Sequence, residues 1–174
     1  MVKEAQLKRL GIFTTSFMLV MFVITAIALC GLVSNEGLEF YPTGLIGNIT
    51  VKTVNEEFRI IYEPSSEAFS AVYWQFPPYN WGNTTGRDLT GFRRLIFDAR
   101  IEKGNLHPLF AVGYPVDNHY AICNDCQLTG DWSPFAIDLS GDLSNVTAGF
   151  GCIFKGSENL NRGEISIRNI YYVL

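Results

Sequence analysis

Six side chains between positions 74 and 88, Trp74, Tyr79, Asn80, Trp81, Arg87 and Asp88, combine flat apolar rings with an amide, a guanidinium and a carboxylate. Rings of this kind stack on the C–H faces of pyranoses, while polar neighbours exchange hydrogen bonds with hydroxyls, so the group has the chemistry of a carbohydrate-binding site. Trp74 and Trp81 equally suit a structural role, plugging the open end of a β-sandwich beneath their own loop, because large rings contribute heavily to core energetics. Tyr114 and Tyr120, on another connection, carry the same two readings.

The cysteines form a second group. Cys123-Asn124-Asp125-Cys126 is a compact motif, and Cys152 is a third cysteine downstream. In an oxidising compartment a disulfide is the first expectation. Cys123 with Cys126 would close a tight turn, whereas either one paired with Cys152 would tie two strands together and leave a thiol over. His119, Cys123, Cys126 and Cys152 have zinc-ligand types, but structural zinc sites show two paired ligand clusters and only one CxxC occurs here, so no metal is assigned. No βαβ pattern surrounds the motif, which argues against a thioredoxin-like redox role.

Catalytic patterns are missing. There is no GxSxG and no HExxH, and His107 and His119 have no acidic partner in sequence. Asp88, Asp98, Asp138 and Asp142 are scattered through strands and turns, where solvated or capping roles are the default. The chain is therefore expected not to be an enzyme.

The elements that must position these residues begin with Gly11 to Val33, a run of 23 residues without a charge. At about 1.5 Å per residue it spans roughly 34 Å as a helix, enough to cross a hydrocarbon core of about 30 Å. Lys3, Lys8 and Arg9 precede it and Glu36 and Glu39 follow, so residues 1–10 are expected in the cytoplasm and residues 34–174 outside, extracellular or periplasmic. The apolar run exceeds the usual signal-peptide core and lacks a clear cleavage site, which favours an uncleaved single-pass signal anchor. Residues 34–37 then serve as a short linker to a domain over 38–174.

That domain is the size of one compact unit. Removing Lys3, Lys8, Arg9 and Glu4 from thirteen cations and seventeen carboxylates leaves ten against sixteen, an acidic surface that excludes nucleic acid as the main partner. Aromatic residues make up 14% of the chain, more flat apolar surface than an ordinary core requires. Asn48, Asn83 and Asn145 each head an N-x-Thr tripeptide and are expected to be exposed glycosylation acceptors.

Period-two patterning broken by Gly, Pro, Asn or Asp predicts an all-β sandwich with strands over Ile49–Val54, Glu57–Tyr62, Phe69–Gln75, Arg93–Arg100, Pro108–Gly113, Tyr120–Cys123, Ser133–Asp138, Gly149–Phe154 and Glu164–Val173. Phe76 to Thr90 reads as one long loop, and loops beyond about 12 residues in a compact domain are usually functional or disordered. Its rings make disorder the weaker reading.

Tyr73-Trp74-Gln75-Phe76-Pro77-Pro78-Tyr79-Asn80-Trp81-Gly82, then Asp88-Leu89-Thr90-Gly91-Phe92 running to Arg100, then Trp132 to Ile137-Asp138-Leu139-Ser140, then Gly149-Phe150-Gly151, together resemble the carbohydrate-binding-module-like, galactose-binding-domain-like jelly rolls. The resemblance covers most of residues 69–173. It implies a jelly-roll β-sandwich used as a sugar-binding module, an accessory domain or an assembly scaffold. Such domains often carry an acidic residue before the last apolar pair of the closing strand, where this chain has Arg168 and Asn169. No cofactor is expected, zinc is disfavoured, and the resemblance leaves room only for a structural calcium ion.

Two functional expectations follow: a membrane-anchored, non-catalytic carbohydrate-binding module, or an accessory subunit of a membrane complex or cell-surface assembly that uses the jelly roll for protein contacts. The partners are accordingly the lipid bilayer and either carbohydrate or neighbouring subunits. Protease added to intact cells should remove residues 34–174, and protection of that region until the cells are permeabilised would overturn the orientation.

Overall fold

The computed structural model describes residues 41–114 and 119–174. The expected membrane helix at 11–33, its cytoplasmic flank at 1–10 and the linker at 34–37 lie outside the described residues. Among the described residues no helix is long and apolar enough to cross a membrane.

Ten strands form two antiparallel sheets. They are β1 Pro42–Ile46, β2 Ile49–Val54, β3 Glu57–Tyr62, β4 Phe69–Gln75, β5 Arg94–Lys103, β6 Leu109–Val112, β7 Ala121–Ile122, β8 Ser133–Asp138, β9 Ala148–Lys155 and β10 Gly163–Val173. The first sheet runs β1-β4-β9-β6-β7 and the second β2-β3-β10-β5-β8. The all-β sandwich expected from the patterning is present, and four strands keep their expected bounds. β5 runs on to Lys103 because the eleven-residue β10 pairs with it as far as Glu164↔Lys103.

β1 escaped the sequence reading because Pro42, Gly44 and Gly47 look like breakers. It survives as an edge strand, where a proline donates to no neighbour, with a bulge between Pro42 and Gly44. Gly44 permits the approach: a Cβ there would stand 2.8 Å from the Gln75 carboxamide.

Inward-facing residues alternate along both sheets. Leu95, Phe97 and Ala99 from β5 meet Trp74, Phe110, Phe150 and Phe154 from the first sheet, all fully buried. Phe97 lies 4.7 Å from Phe110 and 4.9 Å from Phe150, and Trp74 lies 5.0 Å from Phe150 and 5.3 Å from Phe58, at tilted or edge angles favoured by ring quadrupoles. Trp74 is the largest of these side chains and its indole Nε1 has no hydrogen-bond partner, so its contribution is wholly one of packing.

β4 and β9 depart from simple alternation. Every residue of β4 after Phe69, and of β9 before Lys155, is buried. A strand dry on both sides must be covered on its outer face as well, and Tyr73, Ala111, Tyr114, Ala148 and Ile153 form a second, smaller apolar cluster there. Trp74→Ala should cost about 3–5 kcal/mol of stability by emptying the centre of the main core. Urea denaturation followed by circular dichroism measures it, and a loss below about 1 kcal/mol would contradict this packing.

Candidate functional site

Residues opposite one another in a ladder share a face, so the registers Phe69↔Lys155, Ala71↔Ile153, Tyr73↔Gly151 and Leu109↔Ile153 define the outer surface of the first sheet. Its centre is floored by Ala71, Gly151 and Ala111. The glycines of Gly149-Phe150-Gly151 have a specific cause here. A Cβ at Gly151 would stand 2.7 Å from the Tyr73 ring and one at Gly149 would overlap the Phe76 ring, so both rings lie directly on the β9 backbone.

Three rings gather at one end of this face. Trp81 stacks on Tyr114 at 5.9 Å and 18°, and Tyr73 meets both edge-on, at 6.3 Å from Trp81 and 4.9 Å from Tyr114. Tyr73 and Tyr114 are buried, while Trp81 remains 44% exposed. A hydrogen-bonded relay fixes the arrangement. The Gln75 Nε2 donates to the Tyr114 hydroxyl at 2.6 Å, which donates to the Asn80 carbonyl at 3.0 Å. The Thr43 hydroxyl donates to the Gln75 Oε1 and accepts from the Tyr79 amide, each at 3.0 Å. Strand β1, strand β4 and the long loop are thus joined through polar groups that are buried at Gln75 and Tyr114 and partly open to water at Thr43, each satisfied by the next.

The six residues expected at the site separate. Trp81 and Tyr79, the latter 74% exposed, present rings to solvent. Trp74 does not: alternation along β4 turns it inward, where it is fully buried and offers no face to a ligand. Asn80 is also withdrawn. Its Nδ2 donates to the carbonyls of Phe76 (2.8 Å) and Thr84 (2.9 Å), and its Oδ1 accepts from the amides of Gly82 (3.0 Å) and Thr84 (3.3 Å), so it clamps its own loop. Arg87 bridges Val146 through paired backbone hydrogen bonds. The Asp88 Oδ1 accepts from the Thr90 amide at 2.8 Å, and these Thr90 bonds hold its carboxyl below the usual range. Both fasten the far end of the loop.

Beyond the rings the face carries a cavity of about 250 Å³ lined by Phe69, Tyr73, Leu109, Tyr120, Ile153 and Lys155 together with Ala68. Leu109 and Lys155 also line a more polar cavity of about 440 Å³ with His107, Asn124, Gln127 and Glu158. Burial raises the Tyr120 phenol above its ordinary pKa, with the Lys155 ammonium pulling against that. Phe69, Tyr73 and Lys155 were not singled out in the sequence. The signal that could have found them is the unbroken apolar run of β4, because a strand with two apolar faces in a two-layer fold has an outer face that something must cover.

Cys123 and Cys126 form a disulfide, and the free Cys152 is buried on the inner face, where loss of hydration pushes its thiol well above the usual value. Sulfurs joined to each other cannot serve as thiolate ligands, so the zinc set of His119, Cys123, Cys126 and Cys152 is not assembled. Among the described residues no group of three or more His, Cys, Asp or Glu could hold a metal ion. Where the resemblance would place an acidic residue, Arg168 and Asn169 instead donate to Asp98. Asn48, Asn83 and Asn145 are exposed, although the Asn145 Oδ1 already accepts from the Gly86 amide.

Neither a protein-family model nor a curated protein matches the sequence. Solved structures do. The family 11 carbohydrate-binding module of the cellulosomal cellulase Lic26A-Cel5E of Clostridium thermocellum is 11% identical, with 80% of this chain and 90% of that chain covered at a TM-score of 0.54. The sandwich is built like a carbohydrate-binding module. A structure described as PfGH50B is 12% identical at a TM-score of 0.54, over 76% of this chain and 22% of that one. A family 29 carbohydrate-binding module is 11% identical at 0.47, over 77% and 83%.

Asn80→Ala should release the loop without unfolding the sandwich, because of the four backbone groups it frees only the Phe76 carbonyl is buried, at about 1–3 kcal/mol, while those of Gly82 and Thr84 can turn to water. Amide exchange at Gly82 and Thr84 should accelerate markedly while that of β4 is unchanged, and unaltered protection at both amides would refute the clamp.

Proposed function

We propose that this protein binds carbohydrate without catalysis, through the outer face of its first sheet. The observation that carries the reading is Trp81, a ring 44% exposed yet held by stacking on Tyr114 and by edge contact with Tyr73, whose own ring borders the cavity on this face. A ring fixed before the ligand arrives loses little conformational freedom on binding, which is how a shallow face gains affinity. The cavity bordered by Phe69, Leu109 and Ile153 offers room for a saccharide to lie along the sheet, and Tyr120 and Lys155 offer polar groups to its hydroxyls. Likeness of fold to carbohydrate-binding modules supports this use of the face, and the absence of GxSxG and HExxH fits a binding rather than a chemical role.

In this reading the fold is a jelly roll, and the run at 11–33 serves as a single membrane anchor that holds the module outside the cell or in the periplasm. No cofactor takes part in binding. The alternative, an accessory subunit docking to protein, draws on Tyr79, Leu45 and Tyr41, large apolar side chains at least 47% exposed. Those rings would then be covered by a partner instead of open to sugar.

Calorimetric titration of the detergent-solubilised full chain with neutral gluco- and manno-oligosaccharides tests the proposal. Weak binding is expected, reduced at least about tenfold in Trp81→Ala and little changed in Tyr79→Ala. Saccharide binding that survives Trp81→Ala in full would remove this face from consideration.

A further inference from the structure

The groove is almost uncharged, and its one formal charge is a cation. Among the described residues lining the cavity of about 250 Å³, Lys155 alone is charged at neutral pH. The same residue borders the adjoining polar cavity, which Glu158 also lines. Its backbone is tightly held, because the Lys155 carbonyl accepts from the Glu158 and Asn159 amides at 3.1 and 3.0 Å and from the Asn159 Nδ2 at 3.0 Å, with Asn159 fully buried. Across the ladder lies Phe69, against which the aliphatic stem can rest while the charged head reaches water.

The ammonium is paired with Glu158 at 3.0 Å, and both side chains are about half exposed, at 52% and 49%. An ion pair this wet contributes little, so a ligand can exchange for Glu158 at low cost. A groove that recognised only neutral hydroxyls would gain from a carboxylate among its lining residues, since a hydroxyl donates as well as accepts. The apolar section has none. Its exposed acceptor is the Tyr120 oxygen, and its strongest polar group is a donor, the Lys155 ammonium.

The geometry points to a carboxylate-bearing saccharide, a uronic-acid chain, as the preferred ligand of this groove, with Lys155 as the specificity-determining residue. This rests on the carbohydrate-binding reading of the face. The sugar rings lie along Phe69, Leu109 and Ile153 towards Trp81, and one uronate carboxylate takes the place of the Glu158 carboxylate on Lys155. Glu158 then turns outward into solvent. The acidic balance of the rest of the domain weakens long-range attraction of a polyanion, so the preference arises from the local contact and is screened by salt.

The test is titration of the full chain with an oligogalacturonate and with a neutral cello-oligosaccharide of equal length, at low and at high salt. The acidic oligosaccharide should bind more tightly at low salt, by about two- to fivefold, the size of one exposed ion pair. Lys155→Met, which keeps the stem, should lower the acidic-to-neutral affinity ratio by that same factor, and Glu158→Gln should raise it. Equal or better binding of the neutral oligosaccharide, or a ratio unmoved in Lys155→Met, overturns the assignment and leaves the general carbohydrate reading standing. Failure of both probes to bind overturns the two together.

Discussion

Strand β4 is dry on both faces, and most of the architecture answers to that constraint. On one side Val72 and Trp74 enter the main core. On the other, Tyr73 and Gln75 would stand in water unless something covered them, and an amide buried without partners costs free energy that a small domain cannot spare. The cover is the long loop after β4, folded back so that Trp81 packs on Tyr73 and Tyr114, while Gln75 is satisfied by Thr43 and Tyr114. The outer face at this end is therefore a built surface, and its exposed ring is a consequence of how the strand is sealed.

The loop illustrates how a polar residue can act structurally where the same type elsewhere would bind a ligand. Asn80 uses both ends of its carboxamide on four backbone groups of its own loop. Tyr79 takes a positive φ of 64°, uncommon for a ring-bearing residue, and that local geometry turns its side chain outward. Arg87 and Leu89 close the loop onto the segment leading to β9 through backbone hydrogen bonds to Val146 and Leu143. Two rings of the loop, Tyr79 and Trp81, are left facing solvent, and of these Trp81 is held by stacking on Tyr114.

The outer face of the second sheet contrasts with this. The Trp132 ring carries two guanidiniums over it, that of Arg168 at 4.0 Å and that of Arg100 at 4.6 Å. Arg100 pairs with Glu102 at 2.8 Å, Arg168 approaches Asp98 and Glu57, and Ser166 donates to Glu102 at 2.6 Å, which holds that carboxyl below its ordinary pKa. Charges here answer one another within the sheet. The two faces of one sandwich are thus chemically distinct: one closed by ion pairs, the other open and nearly neutral.

The sequence by itself determined the all-β character and the approximate positions of nine of the ten strands, four of them to the residue, because alternation and turn residues are local properties read from neighbours a few positions apart. It also located the aromatic loop and the Cys123–Cys126 motif, whose short spacing makes pairing a matter of local geometry. It could not sort Trp74 from Trp81. Both are tryptophans in one stretch, and what separates them is that Trp74 sits on the inward phase of a strand while Trp81 lies on a loop whose path depends on Asn80, Tyr114 and Thr43. Nor could it bring Phe69, Tyr73, Leu109, Tyr120 and Lys155 together, since these come from three strands and a connection that are distant in sequence. Only sheet order and register decide which outward residues are neighbours. A one-residue slip of β9 against β4 would turn Lys155 to the core side and Phe154 to the groove, so the face exists only once the ladder has formed.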